Sequence, residues 1–181
     1  MKRRLFPLLF VLLSILAALA LGEAAGFGWE PMLRSARRFP GLAHRTQWVA
    51  ERDGVAWYND SKGTNVGATL AAVQGMPGPV VLIAGGLGKG ADFSPLRPVL
   101  AQKARAVVLI GRDAPLLAKA LAGAVKTVAA ADMDDAVVRA RELARPGDSV
   151  LLSPACASFD MFSGYEERGE RFMDAVTRVL A

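Results

Sequence analysis

The 181-residue chain is 52% hydrophobic with a formal net charge of +5, enough apolar material for one α/β domain plus an appendage but not for two full domains. The charge excess sits in residues 1–45, which hold seven Lys/Arg against two Asp/Glu, while the remainder holds fifteen of each, so the body lacks the basic footprint of a nucleic-acid binder. One cysteine, Cys156, excludes an internal disulfide framework and a cysteine-rich zinc site, and one histidine, His44, speaks against a histidine-based metal site.

The amino terminus, "MKRRLFPLLFVLLSILAALALG", has a basic start and a run from Leu5 to Leu21 that is apolar apart from Ser14. Such a run fits a short membrane span, a secretory signal, or an alanine-rich packed helix that ends at glycines. Residues 1–38 are therefore expected to be a hydrophobic helix and linker, and residues 39–181 the globular domain.

Within that domain, "TQWVAER" and "VAWYND" flank Asp53-Gly54, a two-residue hairpin signal. A helix is predicted from about Asn65 to Gly75, then a strand over Val80–Ala84. Asp92 and Ser94 form a cap region for a helix over Pro95–Ala104. A strand over Ala106–Ile110, a helix around Pro115–Ala122 and a weak strand near Lys126–Val128 follow. A helix over Met133–Ala144, a strand over Ser149–Ser153 and a last helix from about Tyr165 to Leu180 complete the chain. Helices set between short β-branched runs predict a Rossmann-like, mostly parallel sheet covered on both faces.

Sheets of this kind bind ligands at the carboxyl ends of their strands. Four polar or glycine-rich clusters follow predicted strands: "NDSKGTN", "GGLGKGADF", "GRD" and "SPACASFDMF". They are expected to converge on one rim.

The glycine cluster can be tested against known chemistry. A P-loop needs G-x-x-x-x-G-K-[ST], whereas Gly88-Lys89 has Ile83 at the first glycine position and Gly90 after the lysine, so that reading fails. Gly86, Gly88 and Ala91 fit a loose G-x-G-x-x-A dinucleotide fingerprint, with Asp113 at the end of the next strand as a ribose-binding acid, although the following helix begins late for it. Ser153, Ser158 and Cys156 lie in one post-strand loop without a G-x-S-x-G elbow and far from His44, which favours a packed turn over a nucleophile. Asp60 beside Lys62 reads by itself as a cap or turn residue.

Together the clusters are more specific. "FPGLAHR", "NDSKGTN", "GGLGKGADFSPL", "GRD" and "LLSPACASFDMFSGYEERGERF", in this order and spacing, resemble the carboxy-terminal domain of the D-glutamate-adding Mur ligases of peptidoglycan synthesis, over about Leu16 to the end. The resemblance implies a three-domain enzyme whose first domain holds a UDP-sugar and whose central domain carries the P-loop and the magnesium ligands. The last domain delivers the amino acid and closes over ATP. The family activates a substrate carboxylate as an acyl phosphate, which the amine of D-glutamate attacks, releasing ADP and phosphate.

Carried onto matching positions, the resemblance implies that Thr64, Lys89, Ser158 and Tyr165 line a D-glutamate pocket. Arg45 and Asp60 would face the nucleotide, with His44 and Asn59 nearby. Family members commonly have phenylalanine where Tyr165 stands. ATP and Mg2+ are the implied cofactors, mainly held by domains outside this sequence, and no residue here is expected to be catalytic or to ligate metal.

D-Glutamate and, through the other domains, UDP-N-acetylmuramoyl-L-alanine are the implied partners, together with a separate chain supplying the P-loop. Alone, the chain is expected not to ligate. The first residues, "MKRRLFPLLFVLLSI", depart from the family pattern, and the resemblance favours a cytoplasmic protein over one tethered through Leu5–Leu21. A non-catalytic amino-acid-binding module and a dinucleotide-binding domain are the alternatives.

Overall fold

A computed structural model describes residues 16–181. The chain divides between Gly41 and Leu42 into two units. In the first, residues 16–24 are helical (α1) and α2 spans Trp29–Arg38. The sequence reading assigned no helix to α2, although Trp29, Met32, Leu33 and Ala36 recur at helical spacing; none of its residues is buried. Trp29 Nε1 donates to Glu23 Oε1 at 3.2 Å, tying the two helices together. The part of the Leu5–Leu21 run up to Ile15 lies outside the described residues. No helix among the described residues is long and apolar enough to cross a membrane.

The second unit is a six-stranded sheet with the order β1-β2-β6-β3-β4-β5. Strands β1 (Gln47–Arg52) and β2 (Val55–Asn59) form an antiparallel hairpin. Asp53 and Gly54 both have positive φ, 54° and 73°, as a tight hairpin turn requires. All other pairings are parallel: β2 with β6 (Ser149–Leu152), β6 with β3 (Val80–Gly85), β3 with β4 (Ala104–Ile110), and β4 with β5 (Thr127–Ala129).

Alternation along the strands divides the core in two. Val81, Ile83, Val108, Ile110, Val150 and Leu152 face α6 (Met133–Leu143) and α7 (Tyr165–Leu180), meeting Val137, Phe172 and Val176. On the other side Leu82, Val107, Leu109 and Leu151 meet residues of α3 (Val66–Gly75), α4 (Leu96–Lys103) and α5 (Ala114–Leu121), among them Val73, Leu100 and Leu117. Every residue of β3 and β6 is buried, which is why these runs read as continuously apolar. Each fully buried Leu or Ile contributes about 1.5–3 kcal/mol of transfer free energy.

Local signals set several boundaries. Asn65 caps α3 by accepting from the Ala68 amide at 2.9 Å, and Asp132 caps α6 by accepting from the Asp135 amide at 2.8 Å. Asp92 and Ser94, expected to cap α4, bond to each other instead: Asp92 accepts from the Ser94 amide at 2.8 Å and from its hydroxyl at 2.7 Å. Helix α4 begins without a side-chain cap.

Candidate functional site at the carboxyl rim of the sheet

The four clusters do converge, because the loops after β2, β3, β4 and β6 are bonded to one another. Leu87 and Ala157 exchange both backbone hydrogen bonds, at 2.9 and 3.0 Å, pairing the glycine loop with the loop after β6. The Gly85 amide donates to Pro154 O at 2.9 Å, and the Ala155 amide donates to Gly63 O at 2.9 Å, which brings in the loop after β2. Gly86 has φ 124°, and a Cβ there would lie 2.3 Å from Ala157 O, so only glycine permits this approach. The loop after β4 joins through the Arg112 amide, which donates to Asp160 Oδ2 at 2.7 Å.

Asp113, the ribose-binding acid of the fingerprint reading, has another task. Its Oδ2 accepts from the Gly88 amide at 2.7 Å, and its own amide donates to Gly86 O at 3.0 Å. The carboxylate thus holds the glycine loop in shape, immediately before Lys89, which itself has φ 52°.

These contacts place the sequence-derived residues in two groups. Lys89 and Ser158 sit beside each other's loops across the Leu87–Ala157 bridge, and the Lys89 ammonium is 5.8 Å from the Phe159 ring centroid. Thr64 follows Gly63, whose carbonyl accepts from Ala155. Among the described residues, Thr64 Oγ1, Lys89 Nζ and Ser158 Oγ make no hydrogen bond. Ser158 is buried, Thr64 half-buried and Lys89 exposed.

The second group lies around the end of β2. Asp60 is 7% exposed; its Oδ2 accepts from Ser153 Oγ at 2.7 Å and its Oδ1 from the Thr46 amide at 3.1 Å. Burial pushes its carboxyl above the ordinary aspartate range, against the opposing pull of these donors and of Arg45. Arg45 is exposed. Arg45, Thr46, Asp60, Lys62 and Gly63 line one side of an open groove of about 350 Å³ whose other side is the small-residue face of α3, including Ala68 and Ala72.

His44 and Asn59 are interior. Asn59 Nδ2 lies 3.0 Å from His44 Nδ1 and donates to Gly169 O at 3.3 Å, and Asn59 Oδ1 accepts from the Ser61 amide at 3.0 Å. Tyr165 packs edge-on against His44, centroids 6.0 Å apart, and carries the Lys62 ammonium 3.7 Å above its ring. The Tyr165 hydroxyl, ahead of Lys62 and His44, holds the neighbouring Glu166 carboxyl below the usual range.

Four residues of this rim escaped the sequence reading as site residues: Thr46, Ser61, Lys62 and Arg168. Arg168 was the one with a signal. Tyr165, Arg168, Gly169, Phe172, Ala175 and Val176 recur at helical spacing, so an arginine stands in the apolar stripe of α7.

Comparison with known proteins defines the class. The model of the family "Mur ligase, glutamate ligase domain" matches residues 44–156, and the chain belongs to this family. More particularly, the chain is 57% identical over 172 residues to the UDP-N-acetylmuramoylalanine--D-glutamate ligase of Nitrosococcus oceani, covering 94% of this chain and 38% of that protein. It is 60% identical over 166 residues to the protein of the same name from Pseudomonas putida, covering 90% of this chain and 37% of that one. The chain therefore spans well under half the length of the curated relatives it matches, in their carboxy-terminal part.

Among solved structures, a murein peptide ligase from Psychrobacter arcticus shares the fold at a TM-score of 0.54 and 14% identity, over 92% of this chain and 37% of that one. A bifunctional folylpolyglutamate synthase/dihydrofolate synthase from Yersinia pestis does so at 0.53 and 17%, over 82% and 34%.

Proposed function

We propose that this chain is the amino-acid-delivering part of a cytoplasmic, ATP-dependent ligase that joins D-glutamate to UDP-N-acetylmuramoyl-L-alanine. One observation carries the reading: three side-chain donors, Thr64, Lys89 and Ser158, stand on three cross-bonded loops with no hydrogen bond among the described residues. D-Glutamate offers two carboxylates, which call for a cation and several neutral donors in fixed geometry. Lys89 supplies the cation, while Thr64 and Ser158 orient the ligand so that its amine points out of the pocket. Each hydrogen bond to a carboxylate is worth about 1.5–3 kcal/mol. Tyr165, the fourth residue expected at the pocket, lies with the second group, its ring against His44 and under the Lys62 ammonium.

The nucleotide side fits in part. Exposed Arg45 and half-buried Lys62 border the groove beside Asp60 and present cations suited to phosphate oxygens. Asn59 and His44 support this side from within, since the Asn59 amide is taken up by His44, Ser61 and Gly169. ATP, when bound, supplies the phosphoryl group that activates the acceptor carboxylate. Mg2+, which is held beside a nucleotide by one or two carboxylates together with phosphate oxygens and water, is assigned mainly to the preceding domains.

The test is an ATP-dependent ligation assay with UDP-N-acetylmuramoyl-L-alanine and D-glutamate. The chain is assayed alone, then mixed with the preceding domains of the Pseudomonas putida relative. Product in the mixture only, abolished by Lys89→Ala, supports the proposal. Folded chain that yields no product in either case overturns it.

A further inference from the structure

The guanidinium of Arg168 is 1% exposed and among the largest buried side chains of the protein, yet it forms no ion pair among the described residues. It donates only to neutral oxygens. Nε donates to Ser61 Oγ at 3.0 Å, one terminal nitrogen to Ser61 O at 2.8 Å, and the other to Cys156 O at 3.1 Å. Ser61 Oγ in turn donates to Tyr165 O at 2.7 Å. Burial pulls the Arg168 pKa down to about 10, against the pull of Cys156 and Asp160.

Burying a cation without a carboxylate is costly, and an apolar side chain of similar volume in the α7 stripe would serve packing better. What the guanidinium adds is a rigid plane with donors on three sides. Ser61 stands between Asp60 and Lys62, the nucleotide-side residues. Cys156 stands two residues before Ser158 and one before Ala157, which pairs with the Lys89 loop. Tyr165 opens α7.

We infer that Arg168 is a positioning residue that fixes the separation between the nucleotide-facing and amino-acid-facing halves of the site by clamping the loops after β2 and β6 to the start of α7. Arg168 meets neither ligand. The functional part of this inference rests on the proposed ligase reading; the clamp itself does not.

The test compares the full chain with Arg168→Lys, Arg168→Met and Ser61→Ala, the last being the milder change should the arginine variants fail to fold. The first readout is amide hydrogen exchange in segments 60–64 and 154–159, with β4 as reference. Arg168→Lys and Arg168→Met should exchange about tenfold faster in both segments with β4 unchanged, Ser61→Ala by a smaller factor in the same direction, and lysine should not rescue, because a point charge cannot span three acceptors. The second readout, in the mixture with the preceding domains, is a joint rise of about tenfold in KM for D-glutamate and for ATP at near-constant kcat.

Several results would overturn the inference: unchanged loop exchange, acceleration extending through β4, an effect on one loop only, or full rescue by lysine. A kcat loss without a KM change would do so as well, since it reports a smaller folded fraction. If the unsubstituted chain gives no product with the preceding domains, the ligase reading fails, and the exchange measurement still decides whether the clamp exists.

Discussion

A Cβ on Gly169 would lie 2.1 Å from His44 Nδ1 and 3.0 Å from Asn59 Nδ2, so α7 approaches the end of β2 as closely as a helix backbone can. The neighbours cannot retreat, because Asn59 is fully buried and bonded on both sides of its amide. Gly169→Ala should destabilise the domain by about 1–3 kcal/mol despite alanine's better helix propensity. Urea unfolding of the two proteins measures this; equal midpoints would mean that the contact is soft.

Asp113 should matter through the glycine loop. Asp113→Ala removes the acceptor of the part-buried Gly88 amide and should cost about 1–3 kcal/mol. D-Glutamate binding, measured by calorimetry in the presence of the preceding domains, should weaken more than this loss of stability explains, because Lys89 is the next residue. Asp113→Asn, which keeps an acceptor oxygen, should retain most of both. NAD binding that disappears in Asp113→Ala would instead revive the dinucleotide reading.

Cys156 should be inert in the folded protein. It is fully buried, and burial pushes its thiol up to about 12. A thiol reagent at pH 8 should therefore label it only as fast as the domain opens, and urea should accelerate labelling in step with unfolding. Rapid stoichiometric labelling without denaturant would show that the loop after β6 opens readily in the folded protein.

Acid stability should carry the signature of Asp148. Burial alone would raise its pKa, but hydrogen bonds from Arg105 and from the Arg145 amide, together with both arginine charges, hold it below 3.8. A carboxyl depressed by folding contributes stability that is present above pH 3.8 and is lost as the pH falls through the lower folded value. Between pH 7 and pH 3 the urea midpoint of Asp148→Asn should therefore fall less than that of the unsubstituted chain. Asp60, whose carboxyl is raised by burial, contributes in the opposite direction as the pH climbs from 3.8.

Much of this arrangement was legible in the residues. Asp53-Gly54 announced the hairpin, Asn65 the start of α3, and the unbroken apolar runs of β3 and β6 a sheet covered on both sides. The clusters after the strands marked the rim. The bonds between those clusters were not legible, because the Leu87–Ala157 exchange and the Ala155-to-Gly63 bond are backbone contacts with no side-chain signature. Arg168 was hidden differently: within "YEERGERF" it reads as one more solvated charge, and only its place in the apolar stripe betrays it. Asp92 and Ser94 misled because an aspartate two residues before a serine can satisfy that serine as readily as a helix.

The position of β6 has a consequence for how the chain acquires its shape. β6 is the last strand in sequence, yet it lies between β2 and β3, which share no ladder of their own. During synthesis the β1–β2 hairpin and the β3–β4–β5 block emerge first, as two sheets with unpaired edges. They become one sheet only when Ser149–Leu152 slots between them and pairs on both sides. The rim cannot exist before that moment, since its loops belong to both blocks. A nascent chain halted before Ser149 would hold most of the side chains of the site but no site, together with two sticky strand edges that a chaperone would have to shield.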